Sequence, residues 1–183
     1  HDAVELSVAG KCGSGSTATR GVYANLEPEV YDVDLGSQTG APFGSVDVGE
    51  SWEVDVRVQG SSNYDVTAFQ IVLTFDSDVV RVSSDSDCVQ GDDWWSTFEC
   101  TTNDPVDKVL LFGSCGLSPS SGCGSKGLVT VATVRFTAIS AGTTDISGVI
   151  VKVKDDSTTT EDVPIYAGTD QVVVVGDGSR RRS

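Results

Sequence analysis

Methionine is missing altogether from this 183-residue sequence, histidine occurs once, as His1, and aromatic residues make up only 7% of it. Each shortage removes a class of function. A Ser-His-Asp or Cys-His site needs an imidazole held in a packed site, and the body of the chain has none. The same lack leaves few zinc ligands, and the cysteines show no C-x-x-C spacing, so a thiolate metal site is not expected. Basic residues are scarce as well: 12 stand against 27 acids, a formal charge of −15 that repels nucleic acid and anionic lipid heads. No apolar run approaches the ~20 residues that cross a bilayer, so no membrane insertion is expected. There is no Asn-x-Ser/Thr sequon to imply N-glycans.

Two features of the ends carry expectations of their own. A chain that starts at His1 without methionine implies a removed leader or a piece cut from something longer. Arg180, Arg181 and Arg182 suit a processing site for a basic-residue-specific protease, with a solvated tail as the other reading.

Five cysteines are present: Cys12, Cys88, Cys100, Cys115 and Cys123. Cys88 with Cys100, and Cys115 with Cys123, bracket short loops that a bridge can close, each for ~2–4 kcal/mol. Cys12 is then the odd one, pairing outside the chain or with one of the four, since spacing does not fix connectivity. Disulfides favour an oxidising, extracellular or secreted location.

What the sequence has in abundance is period-two alternation. Trp52, Val54, Val56 and Val58 alternate with Glu53, Asp55 and Arg57, the pattern of a strand with one buried and one wet face. Phe69, Ile71, Leu73 and Phe75 repeat it with Gln70 and Thr74 opposite and Val72 as the exception. Gly60-Ser61-Ser62-Asn63 between them suits a chain reversal. Further strands are expected at Val30 to Leu35, Val79 to Val82, Val106 to Phe112, Leu128 to Ala138, Asp145 to Val153, Val163 to Tyr166 and Gln171 to Val175, with a short one at Val4 to Val8. Ser83 to Asp93 and Gly113 to Gly127 read as loops. No segment carries the i, i+3, i+4, i+7 pattern of an amphipathic helix, so the fold expected is all-β, a two-sheet jelly-roll β-sandwich. Residues 1–29 read as an N-terminal strand and linker, 30–177 as the sandwich and 178–183 as a basic tail.

Three kinds of site chemistry are expressible in these residues. Paired carboxylates of a glycoside hydrolase are available by type, but the acid-rich stretches read as turns and none is expected on an apolar strand face where burial raises a pKa. Calcium has candidate oxygen ligands in Asp85, Asp87, Asp92 and Asp93, or in Asp155, Asp156, Glu161 and Asp162, neither set with EF-hand spacing; no other cofactor is implied. Trp94 and Trp95 offer flat faces for a sugar ring, as in a carbohydrate-binding module, or else anchor their loop against the body.

The order of motifs resembles a cohesin-type domain over about Glu29 to Asp177. Val48-Gly49-Glu50 before an alternating strand is similar to that family's hydrophobic-x-Gly-acidic entry. Ala68 to Asp76, ending in aromatic-Asp, followed by Val79-Val80-Arg81-Val82, resembles its long strand and short partner. Gly127 to Phe136, and Gly168 with Val172 to Gly176, resemble its late and closing strands. The resemblance implies a module without catalysis of its own that holds a partner module, or copies of itself, on one flat sheet face. By carry-over that face includes Gln70, Val72 and Thr74 of one strand and Thr133 and Arg135 of another. The loop cysteines, the Trp-Trp pair and the N-terminal extension resemble a eukaryotic or surface-protein variant serving adhesion or assembly, whose residues Val4 to Val8 can add to a neighbour's sheet edge.

Overall fold

The structure, a computed structural model, describes residues 30–35, 46–102, 106–116 and 123–157, and the backbone of the strand at 167–176. Eleven strands run in chain order: β1 (Val33–Leu35), β2 (Val46–Asp47), β3 (Ser51–Gln59), β4 (Val66–Thr74), β5 (Val80–Arg81), β6 (Cys88–Gln90), β7 (Thr97–Thr102), β8 (Lys108–Ser114), β9 (Leu128–Ala138), β10 (Gly142–Asp155) and β11 (Ala167–Gly176). Among the described residues the helical content is one 3-10 turn, Asp85–Asp87, and no helix is long and apolar enough to cross a membrane.

Two sheets face each other across one core. The five-stranded sheet orders β1-β3-β9-β5, with β6 also paired to β9. The six-stranded sheet orders β2-β11-β10-β4-β8-β7. All pairings are antiparallel except β2 with β11. The alternation read from sequence sets what lies between the sheets: Val54, Val56 and Val58 from β3 meet Phe69, Ile71 and Leu73 from β4, all at most 1% exposed. Phe136 of β9 sits at the aromatic centre, edge-on to Phe75 at 5.3 Å and stacked on Trp52 at 5.8 Å.

Three expectations need correction. The strand expected from Val30 begins only at Val33, because Tyr31 takes a positive φ of 70° and breaks the extended run. The stretch read as one loop from Ser83 contains β6, and the Trp-Trp loop is followed by β7, whose polar TFECTT sequence gives no apolar alternation. Arg57, expected on the wet face, is 4% exposed, and so is Asp34. Arg57 keeps its outward phase between Val56 and Val58, but Asp34 of β1 stands directly opposite it, and Arg57 Nε donates to Asp34 Oδ2 at 2.9 Å with Nη2 equally close. Asp34 is therefore the buried strand carboxylate that the sequence reading did not expect, and burial raises its pKa despite the Arg57 guanidinium beside it.

The expected strands at Val4 to Val8 and Val163 to Tyr166, along with Cys12, Glu161, Asp162 and Arg180 to Arg182, lie outside the described residues.

Candidate functional site

Each sheet has one face on the core and one outward, so the outward residues decide what the molecule offers to others. On β4 the outward set is Ala68, Gln70, Val72 and Thr74, all half-buried, with core residues between them. On β9 it includes Thr133 and Arg135. β4 belongs to the six-stranded sheet and β9 to the five-stranded one, so the expected single face containing both groups does not exist. The two sets look out from opposite sides of the sandwich.

The five-stranded sheet's outer surface is internally paired. Ser51 and Thr137 share a hydroxyl hydrogen bond at 2.8 Å, Arg135 Nη2 donates to Glu53 Oε1 at 2.9 Å, and Thr133 Oγ1 donates to Asp55 Oδ1 at 2.9 Å. The register requires this ladder, since Ser51, Glu53 and Asp55 of β3 stand opposite Thr137, Arg135 and Thr133 of β9. Hydrogen bonding to Glu53, then its charge, raises the pKa of Arg135.

The six-stranded sheet is built differently. Its register sets outward residues in rows. Glu99, Phe112, Gln70 and Lys152 cross β7, β8, β4 and β10 in one row. Thr101, Leu110, Val72 and Val149 form the next. Thr97, Ser114, Ala68 and Lys154 flank them on one side; Lys108, Thr74 and Ser147 flank them on the other. A bulge between Ile150 and Lys152 leaves Val151 unpaired and turned outward beside the lysine. The result is an apolar strip of Leu110, Phe112, Val72, Val149 and Val151 across the three central strands, with Phe112 38% and Val151 43% exposed. Polar and charged residues rim it.

Sequence reading found Gln70, Val72 and Thr74 but missed Leu110, Phe112, Val149 and Val151. The signal was there, in apolar residues falling on the expected wet phase of β8 and β10, but only the sheet order shows that they are neighbours of Val72.

The tryptophans separate. Trp94 is 1% exposed, edge-on to Phe69 at 4.9 Å, with Nε1 donating to the Thr97 carbonyl at 3.0 Å. A Cβ at Gly113 would fall 2.3 Å from Phe69 and 2.9 Å from the Trp94 ring, so the glycine makes the room the ring needs. Of the two readings for this residue the structure supports the anchor, and a sugar cannot stack on Trp94. Trp95 is 60% exposed, and its backbone N–H donates to the Cys123 carbonyl at 3.0 Å. Both expected bridges are present, Cys88–Cys100 and Cys115–Cys123. The first joins β6 of one sheet to β7 of the other.

Among the described residues no three metal-binding side chains gather, and Glu161 and Asp162 of the second calcium set lie outside them. Asp85 accepts from the Thr102 hydroxyl and N–H, which lower its pKa. Asp87 accepts from the N–H groups of Ser83 and Ser84, and Asp93 from that of Thr130. Asp155 accepts from Tyr31 Oη at 2.5 Å, and Asp156 from the Asp65 N–H.

No family model matches this chain, and no curated protein matches it in sequence. Solved structures do match. The sixth cohesin of Acetivibrio cellulolyticus scaffoldin B, solved in complex with a Cel5 dockerin, superposes with a TM-score of 0.59 at 13% identity, covering 81% of this chain and 100% of that one. The chain has a cohesin-like fold. CaCohA2 of Clostridium acetobutylicum gives a TM-score of 0.54 at 17% identity, covering 88% of this chain and 99% of that one. A Clostridium thermocellum OlpA cohesin, solved with a dockerin, gives 0.52 at 13%, covering 80% and 99%. On this cohesin-like sandwich the outer face of the six-stranded sheet is the candidate site.

Proposed function

We propose that the chain is a non-catalytic protein–protein interaction module of the extracellular space, serving adhesion or assembly of a larger surface structure. It holds another protein module on the outer face of the six-stranded sheet. The observation that carries this reading is the contrast between the two outer faces. One pairs its own polar groups. The other exposes a contiguous apolar strip inside a polar rim, the anatomy of a protein interface.

Other observations support it. Several cohesins of the same fold are solved as complexes with dockerins, which favours a protein module as partner. Two disulfides favour an oxidising compartment. The one strongly buried carboxylate described, Asp34, is bound to Arg57 and has no second buried acid to work with as a hydrolase pair. The carbohydrate-binding reading retains Trp95 alone.

The test is to compare the mass of the native assembly in the medium of the cells that make this protein, for the full chain and for Val72→Ser/Phe112→Ser. The proposal expects a larger species for the wild type and a lone chain for the variant. An assembly unchanged by the double substitution would refute it.

A further inference from the structure

The apolar strip is flanked by cations on a chain that has few. Lys108 lies at one end of it, and Lys152 and Lys154 at the other. Among the described residues three carboxylates share this outer face, all away from the strip's centre: Glu99 at the β7 edge, Asp145 further along β10 and Asp47 on β2 at the far edge. The rim of the strip thus gathers three of the 12 basic residues of a chain whose formal charge is −15. None of the three lysines has an ion-pair partner among the described residues, although Lys152 and Lys154 are exposed and Asp107 directly precedes Lys108. On the opposite face Arg135 is by contrast already held by Glu53 at 2.9 Å.

We propose that the occupant of this face is an acidic segment of a partner protein, with apolar side chains over Phe112, Val72 and Leu110 and carboxylates reaching Lys108 on one side and Lys152 and Lys154 on the other. This rests on the docking reading above and adds the chemistry of the partner. Charge complementarity around an apolar centre fixes register and excludes wrong partners more than it adds raw affinity. The repulsion from the rest of the acidic surface is screened beyond ~8 Å at physiological salt, so the lysines in direct contact decide. A basic segment would meet three ammonium groups that have no ion-pair partner among the described residues.

A displayed library of random peptides, selected on the immobilised full chain, tests this. The expected selection is rich in Asp and Glu around aromatic or aliphatic residues. Binding of those peptides is lost with Phe112→Ser and falls about tenfold with Lys108→Glu/Lys152→Glu/Lys154→Glu, whose outward positions leave the thermal midpoint near that of the wild type. Peptides that need Phe112 but are neutral or basic, or are indifferent to the triple change, would overturn the acidic partner and leave the docking reading standing. A selection that never depends on Phe112 would overturn both. Sedimentation of the chain alone should give a monomer. A dimer abolished by Phe112→Ser would identify the occupant as a second copy and overturn the proposal.

Discussion

Gln70 and Thr133 both point outward from long central strands, yet they stand on opposite sheets of the sandwich, Gln70 on β4 and Thr133 on β9. One molecule cannot be gripped through both by a single flat partner. The hydroxyl of Thr133 is already bonded to Asp55, and Gln70 borders the strip of Phe112 and Val72. The division of labour between the sheets follows from those partners.

Trp94 holds the loop before β7 to the body, and its loss should be costly. Trp94→Ala removes a ring that is 1% exposed and leaves Phe69 and Gly113 facing a cavity. The expected destabilisation is about 3–5 kcal/mol in denaturant titration. Trp95→Ala, at a ring 60% exposed, should cost much less.

The buried pair of Arg57 and Asp34 predicts an asymmetry. Arg57→Met strands a carboxylate that is 4% exposed and should cost about 3–5 kcal/mol. The double change Arg57→Met/Asp34→Leu should recover most of that loss. Equal costs for the single and double variants would mean that packing of the arginine stem, not its charge, matters.

How much of this was legible beforehand depends on the length of the signal. Strands β3, β4 and β9 announce themselves because seven or more residues alternate and one face is buried, which fixes their phase. β7 does not, because TFECTT alternates only between exposed and half-buried positions at a sheet edge. The burial of Asp34 and Arg57 was hidden because both keep the outward phase of their strands and lose water by facing each other across β1 and β3, a pairing that the sequence does not reveal. Cys88 with Cys100, and Cys115 with Cys123, were visible as pairs bracketing loops that a bridge can close, although spacing left the connectivity open. That Cys88 and Cys100 link two sheets was not visible, since it requires knowing that β6 joins β9 while β7 joins β8. The docking strip was half legible for the same reason: Val72 broke its pattern visibly, but its neighbours come from β8 and β10, remote in sequence.

Tyr31 reports on the junction between β1 and β10. Burial, then the hydrogen bond to Asp155 and its charge, push the phenol up to about 12. A raised phenol favours the neutral form in the folded state, so its contribution is fully present below pH 10 and is lost as pH rises from 10 through 12. Ultraviolet titration should show one phenolate appearing near pH 12, shifted down in Asp155→Asn. Asp155 moves the other way: burial raises it, but hydrogen bonds from Ser157 and Tyr31 outweigh burial and lower it.

Removing the Cys88–Cys100 bridge should separate the two sheets at their β6 and β7 ends. Cys88→Ala/Cys100→Ala is expected to lose about 2–4 kcal/mol and to raise amide exchange in β6 and β7 before β3 and β9. Uniform exchange across both sheets would show that the bridge is redundant with the core.

Site-specific photo-crosslinking of the full chain in its native medium weighs the two faces directly. With a benzophenone side chain at position 70 or position 133, the account predicts a covalent adduct to another protein from 70 and none from 133. An adduct from 133 with none from 70 would place docking on the five-stranded sheet and contradict it.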